Sequence, residues 1–494
     1  MVVKKSVKSK SKPIPKKKNT KDGKESNFTK KLVSLLGSKY VLLSAKEKEP
    51  FRHDASDYLG EMPIAVCKPG STKEVSEIMK LCYANDIKVV ARDSGTGLTG
   101  CTVPVKNSIV LDLTRMNKVL EVNLPARYVV TQPYVVLDKL NEKLGKDGFF
   151  YPPDPASSSV SSVGGSLSTN AGGMRAVSTG VTRNWVLGIE AVLANGKIIQ
   201  LGARTVKDNS GYNLTQLIVG SEGTLAIITK AILHITPIPE ATFRIGCYFK
   251  SDEINGKAAE AILKTNLQII SAEFLGETAI AAIKRGNDKI KFPKGANAVL
   301  LVDIASQKAA LNAEVKRAKD LLSKFNPVFT EVITDPKKMA DSQVYKVRQD
   351  MYYVLKSEAG KLHKSLIAGD VTMPTTHLVD AIKDINGMIK KYGLNMTIFG
   401  HIGDGNIHHS IIADLKDKKE AKKADDVQRE ISMMAVKYGG SMSAEHGIGY
   451  EKKEYLVDEL KYRDSLEVLD LFRGIKKVFD PKGMLNPGKI FDLK

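Results

Sequence analysis

Residues 89–100 read V-V-A-R-D-S-G-T-G-L-T-G, with Gly95, Gly97 and Gly100 in a G-x-G-x-x-G spacing after a run that reads as a β-strand. In a Rossmann fold such a loop opens a helix whose N-terminus receives a pyrophosphate. Here C-T-V-P-V-K-N-S-I-V-L-D-L follows, and Pro104 with the β-branched pair Ile109 and Val110 predicts a second strand instead. The loop is therefore not a Rossmann fingerprint. On the pattern alone two readings stay open: a structural turn, or a nest of backbone N–H groups around phosphate without a helix.

The neighbouring sequence frames the loop. P-I-A-V-C-K-P, from residue 63, predicts a short strand. A helix then starts at Ser71 or Thr72, with Glu74 in its first turn and an apolar stripe of Val75, Ile78, Met79 and Cys82. A second Gly-rich region, residues 152–180, passes from prolines through small hydroxyl residues to paired glycines, a composition that lets backbone approach a flat ligand closely. It runs into two strands turning on Asn195-Gly196, a hairpin signal that argues against a flexible linker. A third piece, Y-N-L-T-Q-L-I-V-G-S-E-G-T-L-A-I-I-T, predicts a helical segment and a Gly turn before a strand at Leu225 to Thr229.

The chain has 494 residues, beyond what one core usually serves, so two domains and a tail are expected. No apolar run approaches the roughly 18–20 residues of a membrane-spanning helix, and a soluble protein is expected. Cys67, Cys82, Cys101 and Cys247 form no C-x-x-C pair, which fits a reducing cytoplasm and argues against a disulfide framework. The net charge of +20 is unevenly placed: residues 1–31 hold twelve lysines against Asp22 and Glu25, half of the total. We read this stretch as a disordered Lys-rich tail, solvated in the plain reading, with peripheral contact to anionic membrane lipid as the alternative. Aromatic and basic residues do not interleave elsewhere, so no specific nucleic-acid partner is expected.

Chemistry is concentrated in M-T-I-F-G-H-I-G-D-G-N-I-H-H-S-I-I, residues 396–412. Asp404-Gly405 between alternating apolar residues predicts a two-residue turn. That register pairs Gly403 with Asn406 and Ile402 with Ile407, and it sets His401 opposite His408, with Cβ atoms about 4.5–5.5 Å apart. Phe399 and Ser410 share that face, and His409 takes the other. Singly, each histidine reads as well as a hydrogen-bonded core residue; as a pair they are placed to share a metal. The loop S-M-S-A-E-H-G-I-G, residues 441–449, offers Glu445 beside His446 as a third ligand. Two imidazoles and a carboxylate leave open positions, which suits catalytic zinc, manganese or iron.

Taken in order, these stretches resemble the PCMH-type FAD-binding domain of the vanillyl-alcohol oxidase flavoproteins. Within them they resemble the branch holding D-lactate dehydrogenase, the FAD-bearing glycolate oxidase subunit and D-2-hydroxyglutarate dehydrogenase, from about residue 50 to the C-terminus. The resemblance implies an α+β fold: a two-subdomain FAD-binding domain over residues 32–240 after the tail of residues 1–31, then a substrate or cap domain over 241–440. The cap is expected to hold an antiparallel sheet with helices on one face. Residues 441–494 are expected to return to the FAD domain, with F-D-P-K-G-M-L-N-P-G-K-I-F matching the C-terminal signature and Asn486 near the flavin ring.

By the same resemblance the FAD pyrophosphate lies in the loop of Arg92, Ser94, Gly95, Thr96, Gly97, Leu98, Thr99 and Gly100. Pro153, Asp154, Ser158, Gly164, Gly165, Asn170 and Gly172 line the cofactor, and Glu222, Gly223 and Ile227 close its pocket. The first loop lacks the histidine that tethers flavin in some relatives, so non-covalent FAD is expected. His401, His408 and Glu445 are the implied ligands of a divalent metal, zinc or manganese. His446 is the implied acid/base and Arg348 the arginine for the substrate carboxylate.

The implied reaction is oxidation of a small 2-hydroxy acid to the 2-oxo acid, with the electron acceptor left open among a quinone, a cytochrome, an electron-transfer flavoprotein, a partner subunit and oxygen. D-2-hydroxyglutarate dehydrogenases have a lysine shortly before the D-x-x-x-P that stands here as Asp370 to Pro374. That position is Ala368, with Lys364 upstream as a candidate substitute, and Ser410 replaces an asparagine of that branch. D-lactate or glycolate is therefore the expected substrate. D-2-hydroxyglutarate is the alternative, and a catalytically silent FAD-binding subunit the rival from another class.

Overall fold

The computed structural model describes residues 20–286 and 290–493. Residues 1–19 of the Lys-rich tail lie outside this range. The remainder of the stretch expected to be disordered is helical: Thr20–Leu36 forms one helix. Phe28, Leu32 and Leu36, spaced four apart, are buried against Val75, Ile78 and Met79. The tail reading ran past the point where the lysines give way to this apolar stripe.

Two small sheets follow. In the first, Val66–Cys67 and Lys88–Arg92 flank Ser108–Asp112 in parallel, and Val41–Leu42 adds an antiparallel edge. The expected helix is Thr72–Asn85, capped by Ser71, whose side chain accepts from the Glu74 N–H. The second sheet is antiparallel, in the order Val119–Asn123, Tyr128–Thr131, Ile227–His234, Val186–Val192 and Ile198–Gly202. Its last two strands form the hairpin predicted from Asn195-Gly196, with Gly196 at a φ of 82°. The chain end joins the first sheet: Leu485 bridges Val89 in parallel, and the Asn486 N–H donates to the Val89 carbonyl at 2.8 Å.

The third sheet has seven antiparallel strands in the order Phe329–Ile333, Ala241–Phe249, Ala298–Ser306, Gln268–Leu275, Asn395–His401, Asn406–Ala413 and Ser365–Thr372. Alternation gives it two faces. One, with Phe243, Ile245, Ile398 and Ile411, packs on the helices Asp252–Leu263, Leu311–Ser323, Leu378–Tyr392 and Lys418–Lys437. The other, with Tyr248, Val299, Phe399 and Ile412, is partly covered by the helices Glu277–Gly286 and Met351–Lys361. The helices expected on one face thus form the thicker layer, and a smaller group shares the face that carries the site.

The hairpin at residues 401–406 differs from the sequence reading by two residues. His401 pairs with Asn406, Gly400 with Ile407, and Phe399 with His408. A two-residue type I′ turn needs positive φ at both central positions, and of Asp404 and Gly405 only Gly405 has it, at 83°. Residues 402–405 form a wider loop in which an Asp404 side-chain oxygen accepts from the Asn406 N–H at 3.2 Å. His401 and His408 are therefore diagonal neighbours rather than opposite ones. A slip of two preserves the face, and their rings lie 5.1 Å apart, centroid to centroid.

His409 points to the opposite face and lies over Gly369, where an added Cβ would fall inside its ring. Gly369→Ala is expected to lower stability by about 1–3 kcal/mol through overpacking. Gly387→Ala, on an open helical position, is expected to raise it by about 0.4–1 kcal/mol. Thermal unfolding of the two variants beside the parent reads both signs.

Candidate active site

A long cleft runs between the two small sheets and reaches the seven-stranded one. Arg92, Ser94, Gly95, Thr96, Gly97, Leu98, Gly164, Gly165, Glu222, Gly223 and Ile227 line it, as do Glu445 and His446. Asp93, Ser161, Ser162 and Ser166 are lining residues that the sequence reading did not single out.

The other residues assigned to the cofactor by sequence stand behind this wall. Thr99 is buried; its hydroxyl donates to the His446 carbonyl, and its own carbonyl accepts from Tyr450 and Glu451. Gly100 packs against Tyr58 and Tyr450. Pro153 is buried, and the Ser158 amide donates to the Pro155 carbonyl. Asp154 accepts from the Arg175 N–H at 3.0 Å, and Asn170 ends a short helix in a left-handed conformation while accepting from the Arg183 N–H. Asn486 donates through Nδ2 to the carbonyls of Cys101 and Glu222, at 2.8 and 2.7 Å. It ties the first Gly loop to the third.

Where the cleft meets the large sheet, three of the predicted ligands converge. His401 Nε2 and His408 Nε2 each lie 3.5 Å from Glu445 Oε1. A Cβ at Gly172 would come within 2.7 Å of Glu445 Oε2, so a larger residue there would push the carboxylate from the place it holds against the FAD-domain backbone. The His446 ring stacks on His408 with centroids 5.3 Å apart, and its Nε2 is 4.0 Å from Glu445 Oε1. Arg348 is buried, with its guanidinium carbon 5.0 Å above the Phe399 ring.

Each ligand-type histidine has a buried carboxylate at its other nitrogen. His401 Nδ1 is 2.9 Å from Glu273 Oε1, and His408 Nδ1 is 3.7 Å from Asp370 Oδ1. Burial works against charge on His401, but the Glu273 and Glu445 carboxylates outweigh it and raise its pKa well above the usual value. Burial, helped by the neighbouring His401, drives His408 the other way and favours its neutral ring. Burial also opposes ionisation of Glu445, yet the adjacent histidines bring it down to about 2.

Asp370 lies close enough to His408, Glu445 and His446 to count among metal-type donors. Its Oδ2, however, already accepts the backbone N–H groups of Ala444, Glu445 and His446, at 2.9, 2.8 and 3.0 Å. Its Oδ1 accepts from Asn406 Nδ2 at 2.8 Å. Asp370 is thus held by the loop of residues 444–446 and by Asn406, while His401 faces Glu445 from the neighbouring strand.

Glu273 and the supporting role of Asp370 escaped the sequence reading. The available signal was a lone acid in the apolar strand I-I-S-A-E-F-L, a position where an unpaired charge would be costly.

Residues 238–490 match the family described as FAD linked oxidases, C-terminal domain, and residues 63–202 match an FAD binding domain. The chain belongs to the FAD-linked oxidases. Within this family it is 32% identical to the glycolate oxidase subunit GlcD of Bacillus subtilis over 96% of this chain and 97% of that one. It is 33% identical to a D-lactate dehydrogenase of Archaeoglobus fulgidus, covering 86% and 90%, and 28% identical to a D-2-hydroxyglutarate dehydrogenase of Stutzerimonas stutzeri, covering 93% and 98%. The fold of p-cresol methylhydroxylase superposes with a TM-score of 0.76 at 17% identity, covering 95% of this chain and 97% of that one. The PCMH-type architecture expected from the Gly-rich stretches is the one observed.

The FAD-linked oxidase cleft contains a carboxyl with its own titration. Burial pushes Asp93 up to about 6, against a hydrogen bond from the Ser162 hydroxyl that lowers it. An acid with a raised folded-state pKa favours folding below its unfolded value and penalises it as pH rises through the folded one. Between about pH 4 and about pH 6 this group should therefore cost stability, with no further change above. Asp93→Asn is expected to gain on the parent across that window and to hold a constant advantage beyond it. Urea unfolding of the FAD-free proteins at stepped pH measures the difference.

Proposed function

We propose that this FAD-linked oxidase is a dehydrogenase of small D-2-hydroxy acids, D-lactate or glycolate, with a divalent metal, zinc or manganese, beside the flavin. The observation that carries the reading is the convergence of His401 Nε2 and His408 Nε2 on Glu445 Oε1 at the end of the cleft where His446 lines the wall.

The residues fit both groups. Asp93 Oδ1 and Ser166 Oγ are cleft-lining polar atoms, buried without a protein partner, as expected where a polar cofactor completes the wall. Two imidazole nitrogens and one carboxylate oxygen are a donor set for zinc or manganese, and carboxylates behind such imidazoles are a recurring support.

FAD, when bound, would supply the acceptor for a hydride from the substrate C2. A divalent ion held by His401, His408 and Glu445 supplies Lewis acidity toward the substrate hydroxyl. Arg348 receives the carboxylate; its Nε is buried without a protein partner, and the guanidinium lies over the face of Phe399. His446 takes the hydroxyl proton at Nε2, the nitrogen turned toward Glu445. Glu222, Gly223 and Ile227 wall the cleft on the cofactor side. Reoxidation is assigned to an external acceptor, and the four free, buried cysteines accord with a reducing cytoplasm. Among the described residues no helix is long and apolar enough to cross a membrane.

The short substrate is favoured by what stands near position 368. Ala368 pairs with Ser410 on the site's face, so a methyl group occupies the place where a dicarboxylate would want a cation. Lys364 lies four residues away, about 13 Å along an extended chain, and its Nζ is 2.5 Å from Glu420. It is engaged elsewhere.

Mixing the anaerobic protein with D-lactate, glycolate or D-2-hydroxyglutarate should bleach the flavin band with one of the first two. Bleaching by D-2-hydroxyglutarate alone would reassign the substrate, and bleaching by none would reject the reaction. His446→Ala is expected to slow flavin reduction by about 10²- to 10⁴-fold while FAD absorption is retained. Dialysis against a chelator should likewise abolish bleaching, with zinc or manganese restoring it.

A further inference from the structure

One side chain touches two members of the site at once. Glu273 is fully buried in the strand Gln268–Leu275. Its carboxylate oxygens lie 2.9 and 3.1 Å from His401 Nδ1, and Oε2 is 2.6 Å from Arg348 Nη2. Arg348 Nη2 is itself 3.3 Å from His401 Nδ1. An ionised carboxylate only accepts hydrogen bonds and a guanidinium only donates them. Glu273, nearer to Nδ1 than Arg348 is, holds the hydrogen on that nitrogen, and a ring that is neutral in this tautomer carries its lone pair on Nε2, facing Glu445. The same carboxylate occupies one terminal nitrogen of Arg348 and leaves Nε without a protein partner.

We propose that Glu273 is a positioning residue with two outputs: it fixes the His401 tautomer that presents Nε2 to a metal, and it orients Arg348 toward the substrate carboxylate. The inference rests on the reading of His401, His408 and Glu445 as a metal site. His408 has a weaker counterpart, because Asp370 stands 3.7 Å from its Nδ1 and is occupied by the loop of residues 444–446. The two neighbours of Glu273 consequently respond with opposite signs. Removing its charge leaves His401 only a neutral amide oxygen as acceptor and weakens metal binding. Removing Arg348 leaves the whole carboxylate to His401 and takes a positive charge from the site, so metal binds as tightly or more tightly.

The test uses the FAD-loaded protein in equilibrium dialysis against chelator-buffered Zn²⁺ or Mn²⁺, with bound ion counted by atomic emission. Glu273→Gln is expected to weaken binding by about 10- to 100-fold, the usual range for the loss of a group behind a metal-ligating histidine. Arg348→Met should bind as well as the parent or better. The double variant Glu273→Gln/Arg348→Met should stay as weak as Glu273→Gln. This double variant also carries no uncompensated buried charge, so it decides the matter if Glu273→Gln alone fails to fold.

Unchanged binding by Glu273→Gln overturns the inference and leaves the metal reading standing. So does weakening in Arg348→Met equal to that in Glu273→Gln, which would make the pair a general brace. Recovery in the double variant overturns it too, since the loss would then come from the unbalanced arginine. A parent protein that takes up no ion brings down the metal reading and this inference with it.

Discussion

The carboxylate of Asp370 is the point on which the site turns. It is 1% exposed, and one of its oxygens receives three consecutive backbone N–H groups, those of Ala444, Glu445 and His446. Three successive amides can meet one oxygen only if the chain curls around it, and that curl aims the Glu445 and His446 side chains. Burial disfavours the charge on Asp370, but His446, Lys452, His408 and the loop amides hold its pKa well below the usual range. Lys452, also buried, stands 3.8 Å away and hydrogen-bonds Ser443, so the charge is balanced as well as solvated by protein. Without that acceptor three N–H groups would be left unsatisfied and the buried ammonium would lack its counter-charge.

A second carboxylate completes the restraint from the other side. Glu222, in the FAD-binding half, accepts the N–H groups of Ile448 and Gly449 at 2.7 and 2.9 Å. The stretch from 444 to 449 is thus gripped at one end by the large sheet and at the other by the cofactor half. Close backbone packing explains its glycines. An added Cβ at Gly449 would strike the Thr99 carbonyl, and one at Gly447 the Glu222 carboxylate. Both have positive φ, 54° and 78°, where a side chain is strained in any case.

Local signals made much of the fold legible. The Ser71 cap, the stripe of Val75, Ile78, Met79 and Cys82 and the hairpin on Asn195-Gly196 all depend on residues close in sequence, and each is where the pattern puts it. The grouping of His401, His408 and Glu445 was legible because side-chain alternation survives a slip of two residues. What was not legible required contacts between distant segments. The hairpin register depends on the backbone conformation of Asp404, which composition does not encode. The resemblance assigns Thr99, Asn170 and Asn486 to the cofactor; their hydrogen bonds, which join residues up to 385 positions apart, are contacts that no local pattern announces. Glu273 meets His401 across 128 positions, and only the pairing of their strands brings them together.

The double grip on residues 444–449 has a bearing on how such a protein could be rebuilt. The two acids belong to opposite halves of the chain, so neither half by itself holds the loop of residues 444–449 in place. Grafting this cap onto the cofactor half of a cousin would therefore need more than matched surfaces: the donor and the recipient would have to agree on Glu222 and Asp370 as well. The loop is in effect a mortise cut in two pieces of timber, and recombination between family members should be tolerated at crossover points that leave both acids with the loop they hold.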